Sequence, residues 1–227
     1  MSRRVLCLLA VTAFVAACGG DSGDTPLDEE APDDDPAAYA DDPIGDDSGD
    51  PVAGPAFVGR IAFEVGEVGQ TDIFVMDADG NRTNITNQPG ADHSPTWSPD
   101  GTRIAFASDR DSAGDIFIMD ADGGAPRNIS DHVDLDAAPT WSPDGDRIAF
   151  ARSHDLVNDI HVMDADGGNQ TNITNHFEDD VDPSWSPDGE SIAFQRHRPG
   201  NQEAYVMAAD GGNPTDLTNH PEWDGHQ

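Results

Sequence analysis

The sequence contains no lysine: all 11 of its basic residues are arginine, set against 45 aspartate and glutamate residues. The formal net charge of −34 leaves no basic face to neutralise phosphates, which excludes most modes of nucleic-acid binding. The same charge repels anionic lipid headgroups, so membrane attachment needs another source of affinity. Only two cysteines are present, which excludes a disulfide scaffold or a multi-cysteine zinc site. Hydrophobic residues still make up 36% of the chain, enough for one core of moderate size.

The N-terminus has the pattern of a targeting signal. Arg3 and Arg4 precede an apolar run over residues 5–17, which is shorter than the roughly 20 residues that a membrane-spanning helix needs. The run ends in Val-Ala-Ala followed by Cys18, which resembles the lipobox of bacterial lipoproteins. This resemblance implies a signal peptide over 1–17 and a lipid on Cys18, whose acyl chains would supply about 0.8 kcal/mol per buried methylene. An ordinary secretory signal is the alternative.

Residues 18–55 are predicted to be the lipidated N-terminus and a disordered acidic linker. Between residues 19 and 55 there are 13 acidic residues, no basic residue, and many prolines, glycines and serines. Such a segment cannot bury enough apolar surface to offset its loss of entropy on ordering. We expect an extended spacer, with a calcium-collecting tail as the alternative, on a protein at the periplasmic face of the outer membrane or at the cell surface.

The remainder, residues 56–227, is repetitive. The motif Trp-Ser-Pro-Asp-Gly begins at Trp97, Trp141 and Trp185, at intervals of 44 residues. Each copy precedes Ile-Ala-Phe, a second apolar segment, a turn of the type Met-Asp-Ala-Asp-Gly, and an ending such as Asn-Ile-Thr. The first unit has Ile-Ala-Phe without the tryptophan motif. Four units are therefore predicted, at about 56–96, 97–140, 141–184 and 185–227.

Each unit is predicted to be a four-stranded antiparallel meander, because Ser-Pro-Asp-Gly and Asp-Gly are turn sequences. The second strand of each pair is apolar at adjacent positions as well as alternate ones, so both faces of the sheet must be covered. A sheet of this size cannot cover two faces by itself, whereas neighbouring sheets can. The predicted fold is therefore an all-β β-propeller of four blades.

The repeat resembles the TolB-type, WD-repeat-like propeller repeat, over residues 60 to about 218. Such repeats occur in many unrelated periplasmic and cell-surface proteins, so the resemblance implies a fold and an envelope location more than a function. The TolB family has an α/β domain before its propeller and usually six blades, where this chain has a linker. We expect an open, incomplete arc; residues 52–58 as the missing first strand, a closed four-bladed ring, and a homodimer completed through the open blade edges are the alternatives.

A binding rim is predicted just before the tryptophan strands, where the chain enters the centre of a propeller. Its candidate residues are Asp92, His93, Asp136 and Asp182, and the alternative is that they are solvated loop residues. Because the repeat region is so acidic, we expect the partner to be a cationic envelope protein or peptide. The predicted function is a non-catalytic, lipid-anchored module that binds protein.

The enzymatic alternative is a metal-dependent polysaccharide lyase or hydrolase, or the remnant propeller of a prolyl-oligopeptidase-like peptidase. The metal-dependent lyase would use His132, His176 and His220, which lie one repeat apart; we attribute their spacing to the repeat and predict no metal or other cofactor. The Asp-x-Asp-Gly turns are attributed to hairpin chemistry, with weak surface calcium as the alternative. No Gly-x-Ser-x-Gly, His-Glu-x-x-His or P-loop motif occurs in the sequence.

Overall fold

The computed structural model describes residues 59–67, 69–111, 114–198 and 201–218. Within these ranges the chain consists of strands joined by turns and loops, without a helix that could span a bilayer. The predicted signal peptide, Cys18, the linker and His220 lie outside the described residues.

In the described part of the chain, fifteen strands form four antiparallel sheets, and in each sheet neighbouring strands are consecutive in the chain. Blade 1 contains β1 (Ile61–Glu67), β2 (Gln70–Met76) and β3 (Arg82–Asn84). Blade 2 contains β4 (Asp92–Trp97), β5 (Arg103–Ser108), β6 (Asp115–Asp120) and β7 (Arg127–Asn128). Blade 3 contains β8 (Leu135–Trp141), β9 (Arg147–His154), β10 (Val157–Asp164) and β11 (Thr171–Asn172). Blade 4 contains β12 (Asp179–Trp185), β13 (Ser191–Arg198), β14 (Asn201–Ala208) and β15 (Thr215–Asp216).

The predicted all-β propeller of four blades is confirmed, as an open arc. The first strands of blades 2, 3 and 4 contact one another in turn, so β4, β8 and β12 form the inner side of the arc. Blade 1 has three strands among the described residues. The segment 52–58, considered as its fourth strand, lies outside them.

The Ser-Pro-Asp-Gly turns form because each serine and aspartate closes its own turn. In blade 3 the amide of Gly145 donates to the carbonyl of Ser142 at 2.9 Å. The Ser142 hydroxyl donates to the Asp144 carboxylate at 2.5 Å and accepts from the Arg147 amide at 2.9 Å. In blade 2 the corresponding hydrogen bond from Ser98 lowers the pKa of Asp100 to about 2.

Three hydrophobic cores lie between successive blades. We call the side of a blade that faces the preceding blade its front, and the other side its back. The core between blades 2 and 3 packs the small back residues Ala105 and Ala107 against the large front residues Ile148, Phe150 and Met163. The cores between blades 1 and 2 and between blades 3 and 4 repeat this arrangement. Each blade therefore shields its neighbour from water, which is the packing that the repeat predicts.

His161 occupies a front position that Phe117 and Tyr205 fill in the adjacent blades. Its ring lies against Phe150, with 5.6 Å between the ring centroids. Burial lowers the pKa of His161 to about 4, so the ring is neutral at neutral pH and packs as an aromatic side chain.

A second contact between blades combines an arginine with a tryptophan. The guanidinium carbon of Arg103 in blade 2 lies 4.7 Å from the ring centroid of Trp141 in blade 3. Arg147 makes the same contact with Trp185, at 4.6 Å. Arg60 and Trp97 join blade 1 to blade 2, also at 4.6 Å. Blade 4 has Ser191 at the position of these arginines. Each stacked pair adds a directional attraction to the apolar packing of the neighbouring sheets.

In blades 2, 3 and 4, one glycine of the turn after the third strand touches the preceding blade. A Cβ atom on Gly167 of blade 3 would lie 2.3 Å from the carbonyl oxygen of Ile129 in blade 2. Gly123 and Gly211 meet Ile85 and Ile173 in the same way, at 2.6 and 2.3 Å. These glycines also have positive φ angles, +93° at Gly167, so both the conformation and the contact require glycine.

We predict that Gly167→Ala destabilises the protein by about 1–3 kcal/mol more than Gly101→Ala. Both glycines have positive φ, +93° and +68°, but a Cβ on Gly101 would meet no atom within 4 Å. The conformational cost, roughly 1–2 kcal/mol, is therefore common to both, and the difference measures the clash between blades. Urea unfolding of the two variants checks this. Equal destabilisation would contradict the contact.

Candidate functional site

The first strand of blades 2, 3 and 4 begins at the same end of the arc, which we call the rim. The rim comprises the loops that lead into β4, β8 and β12 (residues 87–91, 131–134 and 175–178) and the β9–β10 turn at residues 155–156. The Ser-Pro-Asp-Gly turns lie at the opposite end of the strands. Two of the predicted candidates lie at this end: Asp92 is the first residue of β4, and Asp136 is the second residue of β8.

Asp92 and Asp136 are buried and paired with arginine. The exposed fraction of each residue is 1%. Asp136 binds Arg152 through two hydrogen bonds, with Oδ1 to Nε at 2.6 Å and Oδ2 to Nη2 at 2.7 Å. The carboxylate thus joins β8 to β9 within blade 3, and its lone pairs point into the blade.

Asp180 is the equivalent of these residues in blade 4. It is fully buried and binds Arg196 at 2.7 and 2.8 Å, and this hydrogen bond raises the pKa of Arg196. The spacing of 16 residues between acid and base, the same for Asp136 and Arg152 as for Asp180 and Arg196, is the sequence signal that identifies these pairs. The predicted rim residues do not include Asp180 or either arginine.

Blade 2 departs from this arrangement. Ser108 stands where the other two blades have their arginine, and Arg110 reaches back from the following loop to donate to Asp92 Oδ1 at 2.8 Å. The Oδ2 atom of Asp92 is buried and has no hydrogen-bond partner among the described residues. Arg110 also donates to the Ser108 hydroxyl at 2.8 Å, so one guanidinium holds both side chains.

His93 and Asp182 occupy other repeat positions. The His93 side chain is 43% exposed, and its Nδ1 lies 3.4 Å from Glu64 Oε2 in blade 1. This hydrogen bond raises the pKa of His93. Asp182 corresponds to Ser94 and Ala138; all three have φ near +52°, at the β-bulge of the inner strand. Its side chain is exposed. The four predicted residues therefore come from three repeat positions with different surroundings.

The most exposed large apolar side chains of the described residues lie on the rim. Val133 and Phe177, which are 89% and 80% exposed, occupy equivalent loops one repeat apart. Leu156 is 93% exposed at the tip of the β9–β10 hairpin. Asp155 and Leu156 both have positive φ, +50° and +71°, although turns of this kind favour asparagine and glycine. The hairpin thus holds a leucine in solvent in a conformation that costs free energy.

Leu156 and Phe177 flank a groove of about 500 Å³ between the β9–β10 hairpin and the beginning of β12. Its other walls include Glu178, Asp179, His197 and Arg198. The backbone and side-chain amides of Asn158 donate to Asp179 at 2.9 and 3.0 Å, which fixes the hairpin of blade 3 to blade 4. The groove therefore has one apolar side and one charged side, held by a contact between blades.

The rim arginines that line or underlie this surface all bind carboxylates. Arg110, Arg152 and Arg196 bind the buried aspartates described above, and Arg198 donates to Glu178 at 3.1 Å. By contrast Asp155 is 92% exposed at the side-chain level, and its nearest ion-pair partner is the exposed His154 at 3.4 Å. The rim is therefore acidic where solvent reaches it.

His132 and His176 are fixed by their own loops. The amide of each donates to the equivalent aspartate of the third strand, Asp115 at 3.2 Å and Asp159 at 2.9 Å. Each Nδ1 accepts a hydrogen bond from a backbone amide two residues later, at 3.2 Å. No group of three or more histidine, cysteine, aspartate or glutamate side chains among the described residues is arranged to hold a metal ion.

The Asp-x-Asp-Gly turns use their carboxylates internally. Asp122 and Asp166 accept from the amides of Gly124 and Gly168 at 3.0 and 2.9 Å. The Asn-Ile-Thr segments are likewise structural: Asn172 donates to Asp159 at 2.8 Å, and Thr174 joins the same carboxylate at 3.1 Å. In these hydrogen bonds the carboxylates are the acceptors at turns and strand ends, and Asn172 and Thr174 are donors.

The chain matches the family described as TolB beta propeller domain over residues 48–134 and 127–225. No curated protein sequence matches it significantly. Many solved structures share the fold.

One solved structure is a putative TolB from Agrobacterium tumefaciens, with 27% identity and a TM-score of 0.62 over 69% of this chain and 60% of that one. Another is TolB from Acinetobacter baumannii, with 25% identity and a TM-score of 0.58 over 67% and 38%. The match thus spans less than two thirds of either TolB chain. An oligogalacturonate lyase from Vibrio parahaemolyticus, at 17% identity and a TM-score of 0.53 over 70% and 50%, shares the fold alone.

We predict that Arg152→Met costs roughly 3–5 kcal/mol of unfolding free energy, because it leaves the Asp136 carboxylate buried without a counter-charge. Arg198→Met is the control: its pair with Glu178 is partly exposed, and such pairs contribute about 1 kcal/mol or less. The double variant Asp136→Leu with Arg152→Met should regain most of the loss. Urea unfolding measures all three; similar values for the two single variants would contradict the buried pair.

Proposed function

This chain belongs to the TolB beta propeller domain family, and on that basis we propose that it is a non-catalytic binding module of the cell envelope. It binds a cationic protein or peptide at the rim and is held at a membrane by a lipid on Cys18. The rim groove beside Leu156 and Phe177 is the observation that carries this proposal.

Apolar exposure supports a docking role for the groove. Leu156 and Phe177 are 93% and 80% exposed, so they keep apolar surface in contact with water. A partner that covers them removes this unfavourable contact. Most of the other Ile, Phe and Met side chains of the described residues are buried between blades, whereas these two lie in solvent. The positive φ of Leu156 adds a conformational cost that a purely structural turn avoids with glycine.

Charge supports a cationic partner. The chain carries a formal charge of −34, and the rim arginines are paired with carboxylates. Exposed carboxylates such as Asp155 then surround the apolar side chains. A partner that presents arginine or lysine beside apolar residues matches both properties, and the long-range attraction speeds its association.

The N-terminal sequence supports attachment in the envelope. An apolar run after two arginines and a cysteine after small residues are the pattern of a lipoprotein signal, and the acidic linker would separate the propeller from the membrane surface. We propose the periplasmic face of the outer membrane or the cell surface as its location. The lyase and peptidase alternatives have only the shared fold in their favour.

A peptide-binding measurement tests the rim. Synthetic peptides that combine basic and apolar residues should bind the purified chain, whereas acidic peptides and basic peptides without apolar residues should bind much more weakly. The double variant Leu156→Ser with Phe177→Ser should lose about tenfold or more in affinity, because anchors of this size each contribute more than about 1 kcal/mol. Fluorescence anisotropy of labelled peptides gives the dissociation constants.

Pro187→Ser is the matched control for that experiment. Pro187 is an exposed residue of the Ser-Pro-Asp-Gly turn of blade 4, at the end of the strands opposite the rim, so its loss should leave the affinity unchanged. An unchanged affinity in the Leu156 and Phe177 variant would exclude the rim as the binding surface. Equal binding of acidic peptides would exclude a cationic partner.

Lipid attachment is tested separately through Cys18. In a bacterial host the chain should take up a labelled fatty acid and sediment with membranes, while Cys18→Ser should do neither, because it has no thiol to acylate. Cys7→Ser, which changes the other cysteine within the predicted signal, should behave like the unmodified chain. Membrane sedimentation of the Cys18 variant would show that the lipid is not the anchor.

A further inference from the structure

Blade 1 has a front face built like those of the other blades. In blade 2 the front residues Ile104, Phe106, Phe117 and Met119 are at most 4% exposed, because blade 1 covers them. Blade 1 has Ile61, Phe63, Phe74 and Met76 at the same positions, and its two phenylalanine rings pair at 6.1 Å as those of blade 2 do at 5.8 Å. Ile61 is nevertheless 40% exposed, and the other three are only partly buried.

Blade 1 also has a glycine at the position where the glycines of blades 2, 3 and 4 contact the preceding blade. Gly123, Gly167 and Gly211 each lie against an isoleucine carbonyl of the blade before, and each has positive φ. Gly80 is their equivalent and has the same conformation, with φ +82°, but a Cβ on it would meet no atom within 4 Å. The receiving side that β1, β2 and Gly80 form in blade 1 is therefore built as in the other blades, apart from the strand that carries their tryptophan, and it is not occupied by any described residue.

Blade 4 presents the complementary side. Its back residues Ala193, Ala204 and Val206 take the places of Ala149, Ile160 and Val162, which bury the front of the following blade. Leu217 takes the place of Ile173, whose carbonyl contacts Gly211 and whose side chain packs near Met207. Leu217 is 59% exposed. These back residues and the front residues Ile61, Phe63, Phe74 and Met76 of blade 1 are all apolar.

We propose that a second copy of this chain docks here, with the back of its blade 4 on the front of blade 1. The contact would repeat the three interfaces within the chain: Leu217 of one copy would pack at Gly80 and Met76 of the other, as Ile173 does at Gly211 and Met207. Because the two faces differ, the association is head-to-tail, and it either closes as a ring or continues as a longer oligomer. It uses neither the rim nor the lipid, so it stands apart from the proposed function.

Sedimentation velocity of the chain over a range of concentrations tests this, in salt high enough to screen the net charge. The unmodified chain should form dimers or longer oligomers. Ile61→Glu on the front of blade 1 and Ala193→Glu on the back of blade 4 should each weaken assembly, because they bury a charge in the contact. Thr171→Glu adds the same charge on the outermost strand of blade 3 and should assemble like the unmodified chain. Circular dichroism and thermal melting confirm that each variant is folded.

Mixing the variants distinguishes head-to-tail docking from other arrangements. Ile61→Glu retains a normal blade 4 and Ala193→Glu retains a normal blade 1, so an equal mixture should form heterodimers and nothing larger. A chain that stays monomeric at every concentration would overturn the proposal. So would homodimers of Ala193→Glu, since these would show that two blade 1 faces pair with each other.

Discussion

Each blade of this protein has two apolar faces and can shield neither of them by itself, so its neighbours must do so. Alanine, valine and isoleucine side chains on the back of one blade pack against larger side chains on the front of the next, and the same packing occurs between blades 1 and 2, 2 and 3, and 3 and 4. Glycines such as Gly167 and the stacked pair Arg103–Trp141 depend on that close approach. Each repeat unit must therefore supply one front and one back, which are the two sides of a contact between blades.

The features that could be predicted from the sequence are those that the repeat carries. The interval between Trp97, Trp141 and Trp185 indicated the number of blades and the packing of one on the next, because turns and apolar alternation recur in register. Side-chain pairing within a blade is harder to predict: the predicted rim residues include Asp182, which lies in the β-bulge, instead of Asp180, which follows Asp136 by one repeat of 44 residues and is its equivalent. Leu156 was missed because its exposure and its positive φ are properties of the folded hairpin.

Acidic residues have two different roles in this chain. Asp136, Asp144 and Asp159 accept hydrogen bonds from their own blade, and their charge is balanced by arginine or by backbone amides. Asp155 on the rim lies in solvent, where its charge acts on an approaching partner. The number of carboxylates therefore overestimates the electrostatic field that acts on a partner, because arginines neutralise the buried ones. That field is strongest near the exposed carboxylates.

The arginine–tryptophan stacks join blade 1 to blade 2, blade 2 to blade 3 and blade 3 to blade 4, and blade 4 has Ser191 where the other blades have arginine. In a solenoid-like stack, each sheet is anchored only by the ones beside it, so disassembly proceeds inward from a terminal sheet. Blades 1 and 4 have one such anchor each, and the interior blades have two. Mechanical or thermal fraying is therefore expected at the terminal sheets, and one of these, blade 4, holds the hairpin beside the Phe177 groove through the contact of Asn158 with Asp179.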